Sequence, residues 1–220
     1  MVIEKTSKHF AVAIELGNVA DTTAVAIVQH VKSPANGPQG KGEEWHVRHL
    51  DRSPSGTYPL EIAAHLSKHL GQLQATEEKE KTEHNVIRDV VLQIDLIVDQ
   101  TAVGEPVADV VLESLSRYGR RVIISGTHSV SYSDGADHIP KQTLTSTVAA
   151  MLAVGHLKIG EDVRGKKELI EELIRYNGRS TSTSGLAVNT WREQPADDLV
   201  FAVALACWQL KQCGFSYEFI

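Results

Sequence analysis

The chain has 220 residues, 42% of them hydrophobic and 23% charged, which gives it the size and composition of a soluble globular domain with a substantial core. A net charge of −6 argues against a nucleic-acid binder held by bulk charge, because phosphate neutralisation needs clustered Lys and Arg. No apolar run approaches the ~20 residues that span a bilayer, and the polar start MVIEKTSKH is no signal peptide, so the expected location is cytoplasmic, with no membrane partner. Cys207 and Cys213 are poorly placed to face each other in a helical pattern and read as reduced packing residues.

In chain order, β-branched and small apolar residues predict strands over residues 9–16 and 22–31. A Pro/Gly loop, SPANGPQGKG, separates them from a third strand over residues 44–51, which makes an antiparallel meander. Leu60, Ala63, Ala64, Leu66 and Leu70 recur at helical spacing and predict a helix over residues 59–73. The following ATEEKEKTEHN reads as an exposed loop or frayed helix end, a flexible segment at about residues 74–85. VVLQIDLIVD is a buried strand ending at Asp99. A helix over about residues 105–118 and the strand RRVIISG then complete a βαβ unit with parallel strands. After the polar loop HSVSYSDGADH, a helix starts near Pro140, where the missing N–H has no partner to lose, and a short strand follows. A charged helix over residues 166–176, a strand over 186–190 and a last helix over about residues 196–213 close the chain. The expected architecture is one α/β domain over residues 1–220, with a mixed central sheet (antiparallel first three strands, then parallel strands) flanked by helices.

Acidic residues stand at the strand ends and the helix start where open α/β sheets gather functional groups. Glu15 interrupts an apolar strand among Ala11, Val12, Ala13, Ile14 and Leu16, a costly place for an unpaired carboxylate. Asp99 ends a central strand, a position that also suits an Asx-type turn with QTAVG. Asp197 and Asp198 start the last helix, where either also suits a cap. Carboxylates brought together repel unless a cation intervenes, and hard oxygen ligands suit Mg²⁺ or Mn²⁺. Two such ions about 4 Å apart can activate water and stabilise a leaving oxygen in phosphodiester hydrolysis.

The ordered set IELGNVADTTAVAIV, LIVDQTAVGEPV, Pro140–Lys141 with its helix, and DDLVFAVALA resembles the nuclease domain of bacteriophage large terminase subunits, within the ribonuclease H-like superfamily. The similarity runs from about residue 9 to residue 208. It implies a ribonuclease H-like fold and a metal-dependent endonuclease that cleaves double-stranded DNA during phage genome packaging in the cytoplasm of a bacterial host cell. Residue by residue, it makes Glu15, Asp99 and Asp198 the catalytic acids and ligands of two Mg²⁺ or Mn²⁺ ions, with Asp197 as neighbour or alternate. Asp21 and Thr101 are implied auxiliaries and Lys141 a DNA-binding base. The reaction implied leaves 3′-OH and 5′-phosphate ends. A packaging ATPase domain, a portal or a small terminase subunit are the implied partners.

This sequence departs from the pattern at three points: Glu15 stands where the family usually has Asp, Ala196 where a His is frequent, and no phosphate-binding loop occurs, since GPQGKGEE has the wrong spacing. No ATPase domain is therefore expected within these residues. The alternatives are a catalytically weakened or non-catalytic terminase-like module that docks to packaging partners, or another ribonuclease H-like nuclease acting on junctions or RNA–DNA hybrids. The pairs His46/His49 and His65/His69 read as surface histidines, because no third ligand is placed near them. The tryptophans read as core or interface anchors rather than a base-stacking platform.

Overall fold

The computed structural model describes residues 4–32, 42–82, 88–115, 119–180 and 197–213. The predicted strand over 186–190, Trp191 and Ala196 lie outside the described residues. Among the described residues, eight strands form one sheet: β1 (Glu4–Glu15), β2 (Thr23–Lys32), β3 (Glu43–Ser53), β4 (Arg88–Asp99), β5 (Gly119–Ser125), β6 (Ser131–Ser133), β7 (Ala136–Pro140) and β8 (Leu157–Ile159). Among the same residues, five helices accompany them: α1 (Pro59–Thr82), α2 (Glu105–Ser114), α3 (Lys141–Ala153), α4 (Lys166–Ser180) and α5 (Asp198–Gln212). The strand order is β6-β7-β5-β4-β1-β2-β3-β8. β1, β2 and β3 run antiparallel in sequence, whereas β1–β4, β4–β5, β5–β7 and β3–β8 are parallel. This is the expected mixed sheet.

One helix is longer than the sequence reading has it, and one loop is a hairpin. α1 continues past residue 73 to Thr82, over most of the segment expected to be a loop or frayed end. Its ATEEKEKT stretch consists mainly of Glu and Lys, residues of high helix propensity. The polar loop around residues 128–138 folds as the hairpin β6–β7, turned at Asp134 and Gly135, both with positive φ (51° and 73°). An Asp-Gly pair suits the type of two-residue turn whose twist matches its strands.

The period-two alternation of the strands separates two cores. Phe10, Val12 and Ile14 of β1, with Leu96 and Val98 of β4, face α1 and α2 through Ile62, Leu66 and Val111. Ala11 and Ala13 of β1, Ala24 and Ala26 of β2 and Ile97 of β4 face α5 on the other side. The alanines let this helix approach the sheet closely. α5 is buried along its whole length from Leu199 to Leu210, as a helix apolar on every side must be, and α3 and α4 cover it.

β3 keeps this division by a bulge. Ile27 pairs with His49 and Val28 with Val47, so Arg48 is the extra residue opposite an unbroken β2. Val47 and Leu50 consequently both lie in the α5-side core. His49 and Asp51 line a cavity with Ile62 and Leu66 on the α1 side, while Arg52 points to the α5 side.

β1 leaves the sheet through Gly17, whose N–H donates to Thr23 Oγ1 at 3.1 Å. A Cβ on Gly17 would stand 2.2 Å from the Thr22 carbonyl oxygen, a backbone atom that cannot swing away. Gly17→Ala is therefore expected to destabilise the protein by about 1–3 kcal/mol through overpacking. Chemical denaturation of the two proteins measures it, and an unchanged midpoint would refute the close approach.

Candidate active site

Glu15 and Asp99 close the two central strands side by side. In the parallel register of β1 and β4, Glu15 is the direct partner of Asp99. Both follow the α5-facing residues of their strands, Ala13 and Ile97, so both stand at the carboxyl end of the sheet on the α5 side. α5 begins there with Asp198.

Asp99 is 3% exposed. Its Oδ1 accepts hydrogen bonds from the Thr101 N–H at 2.9 Å and from the Thr101 hydroxyl. Thr101 Oγ1 in turn accepts from the Ile124 N–H at 2.8 Å, which ties Asp99 to β5. The Asx-type turn that the sequence permits at this position is thus present, and it orients the carboxylate. Burial, only partly offset by the Thr101 bonds, pushes the Asp99 carboxyl up to about 6.

Glu15 Oε2 is buried without a hydrogen-bond partner. Desolvation first, then the charges of Asp198, Asp99 and Asp21, raise its carboxyl well above the usual range, and Arg52 opposes them. A buried acceptor with no donor, facing two more acids, is an arrangement that a hard cation would satisfy. The donor set fits Mg²⁺ or Mn²⁺.

Asp198 accepts a 2.5 Å hydrogen bond from the Thr22 hydroxyl, and its Oδ2 lies 4.0 Å from Arg52 Nε. Among the described residues, the oxygens of Glu15, Asp99 and Asp198 do not all come within 4.8 Å of one another, a closeness reached by the ligand atoms of His49, Asp51 and His69. Asp197 holds the N-cap position of α5 but makes no side-chain cap bond. Asp21 is exposed in the β1–β2 turn. Lys141, the first residue of α3, has its Nζ 4.7 Å from the Phe201 ring centre and 5.8 Å from that of Tyr176, beside the first turn of α5.

The cap of α5 comes from elsewhere. Glu172 of α4 is 1% exposed, and its Oε2 accepts from the N–H groups of Leu199 (3.1 Å) and Val200 (3.3 Å). Its Oε1 accepts from Arg52 Nη2. One buried carboxylate therefore satisfies orphan donors of α5 and fixes the arginine next to Asp198. Sequence reasoning missed Glu172 and Arg52. The signal available was a carboxylate inside the apolar stripe of α4, where Leu169, Glu172, Leu173 and Tyr176 share one face. The surface reading of the histidines holds for His65, which is exposed, but not for His49, whose Nε2 is buried, and partners are present after all: His49 and Asp51 of β3 stand against His65 and His69 of α1.

No family model matches the chain, and no curated protein matches it either. Solved structures do share its fold. The human cytomegalovirus terminase nuclease domain soaked in manganese aligns with a TM-score of 0.50 and 11% identity, over 94% of this chain and 85% of that one. The same domain soaked in manganese with inhibitor bound aligns with a TM-score of 0.52 and 12% identity, over 91% of this chain and 82% of that one. The fold is the ribonuclease H-like fold of terminase nuclease domains.

Two outcomes follow. Removing Glu172 strands Arg52 and two backbone donors, so Glu172→Ala is expected to cost on the order of 2–4 kcal/mol, seen as a thermal midpoint lower by roughly 5–10 °C. An unchanged midpoint would exclude the cap. The raised Asp99 carboxyl costs stability that is nearly absent at pH 4, accrues between about pH 4 and 6 as the unfolded chain ionises while the folded one holds its proton, and is complete above about 6. In chelator-treated protein, Asp99→Asn should therefore be the more stable by on the order of 2 kcal/mol at pH 8, with no gain at pH 4. Equal differences at both pH values would contradict the burial argument.

Proposed function

We propose that this protein is a divalent-metal-dependent endonuclease that cleaves double-stranded DNA, acting in the packaging of a phage genome in the cytoplasm of its bacterial host. The observation that carries this reading is the in-register pairing of Glu15 with Asp99, with the Glu15 oxygen buried and unpartnered opposite the start of α5. The solved domains of the same fold support it by name, as terminase nucleases studied with manganese.

Glu15, Asp99 and Asp198 would hold two Mg²⁺ or Mn²⁺ ions, which supply an activated water and neutralise charge on the leaving oxygen, leaving 3′-OH and 5′-phosphate ends. The protein's own groups prepare the site. Thr101 fixes the Asp99 carboxylate, and Thr22 fixes that of Asp198. Asp21 adds negative field at Glu15, and Asp197 stands beside Asp198 as its alternate. Lys141 offers a cation to the DNA backbone near α5. A packaging ATPase domain, a portal or a small terminase subunit are the partners of this reading.

A second reading, a non-catalytic docking module of the same fold, has Arg52 in its favour, because a guanidinium near Asp198 supplies part of the positive charge that an ion would supply. Supercoiled plasmid incubated with Mn²⁺ separates the two. The expected result is nicked and linear DNA, with rates lower by about 100-fold or more in Glu15→Ala and Asp99→Ala, since metal ligation contributes several kcal/mol. An inert wild-type protein that also gives no calorimetric signal at millimolar Mn²⁺ would refute the metal-dependent nuclease and favour the docking module. A preference for four-way junctions or RNA–DNA hybrids over duplex DNA would move the enzyme elsewhere among ribonuclease H-like nucleases.

A further inference from the structure

On the sheet face opposite the acidic cluster, β3 and α1 bring four potential ligands together. The ligand atoms of His49, Asp51 and His69 all lie within 4.8 Å of one another. The His49 and His69 ring centres lie 4.1 Å apart with their planes tilted by 37°, and the His65 ring meets His69 edge-on at 4.7 Å. His65 Nδ1 lies 2.9 Å from Asp51 Oδ2. His65 and His69 are one helical turn apart, and His49 and Asp51 are alternate residues of one strand, so each pair shares a face. The residues enclose a cavity of about 10 Å³, room for about one water-sized sphere.

Histidines cluster in proteins without a metal, but such rings satisfy each other or the backbone. Here His49 Nε2 is buried with no hydrogen-bond partner. A buried ring nitrogen in contact with a second imidazole and a carboxylate is costly as it stands. The same arrangement supplies two nitrogens and one oxygen to a single point, the donor set of borderline divalent ions.

We infer that His49, Asp51 and His69 bind one divalent transition-metal ion of the Zn²⁺ class, with His65 orienting the Asp51 carboxylate through its second oxygen. Ligating carboxylates in metal sites are themselves held by hydrogen bonds from outside the ligand set. The ion bridges β3 and α1 and clamps the helix to the sheet. The site differs in chemistry from the acidic cluster: imidazole nitrogen selects Zn²⁺, Co²⁺ or Ni²⁺, whereas an all-oxygen set selects Mg²⁺ or Mn²⁺. It stands whether or not the protein is a nuclease.

The full chain, stripped with chelator and dialysed, is titrated with Zn²⁺ by calorimetry and with Co²⁺ by visible absorption. With millimolar Mg²⁺ present throughout to occupy the acidic cluster, the expected result is one tight equivalent of Zn²⁺, displacing an intense tetrahedral-type Co²⁺ spectrum and raising the thermal midpoint further. His69→Ala removes a half-buried helix side chain and should keep its circular dichroism while weakening Zn²⁺ by about 10-fold or more, and His65→Ala should weaken it by about 10-fold. Asp99→Asn should bind Zn²⁺ as the wild type does. Absence of Zn²⁺ binding by the wild type, or undiminished binding and an unchanged Co²⁺ spectrum in His69→Ala, would overturn the assignment.

Discussion

The seating of α5 on the sheet is the constraint from which the acidic site follows. A helix apolar on all sides gains its stability by being covered on all sides, and the alanines of β1 and β2 allow contact close enough to do so. Its axis and position are thereby set by packing over most of its length, and Asp198 has no freedom to choose where it stands. The helix needs its first N–H groups satisfied in a buried place, and Glu172 reaches across from α4 to satisfy them. That same carboxylate anchors Arg52. Packing, capping and charge balance meet in one residue that takes no part in the acidic cluster itself.

The electrostatics of the cluster run against folding. Asp99 is buried and Glu15 has an oxygen without a donor, while Asp198, Asp99 and Asp21 all repel the charge on Glu15. Structures that only need to be stable replace such groups with apolar ones. Strong backbone order, with β1 and β4 paired along their whole length, holds the carboxylates in place against this repulsion. Strain of this kind, stored at the carboxyl ends of central strands, is what a binding or reacting site looks like in physical terms.

Much of this was legible in the sequence because it is periodic or local. Alternation in FAVAIEL and VVLQIDLIVD fixes which residues share a face, so Glu15 and Asp99 could be placed together once their strands were taken as neighbours. The final helix announced itself by its unbroken apolar run. What escaped notice depends on contacts far apart in the chain. Glu172 looks like one of several acids on a charged helix, and only docking of α4 against α5 gives it a partner. The reach of α1 beyond residue 73 rests on helix propensity, which competes with the loop-like polarity of the same residues. The histidines were read as surface groups because their partners lie on a different element, and nothing in EEWHVRHLDRS signals the bulge that turns two of its residues toward that element.

That bulge makes strand parity a structural variable. In a ladder of period two, one added residue exchanges inside for outside at every position beyond it. β3 carries such an addition at Arg48, and the residues beyond it serve both faces: His49 and Asp51 on one, Arg52 on the other. A regular ladder of the same length, with Arg48 taken into register opposite Ile27, would invert all three at once, turning the histidine toward the α5 core and the arginine toward α1. Deletion of Arg48 itself would leave His49 opposite Ile27 and preserve the faces, whereas loss of two residues would invert them. The chemistry on the two sides of this sheet is therefore tied to one count, odd or even, in one strand.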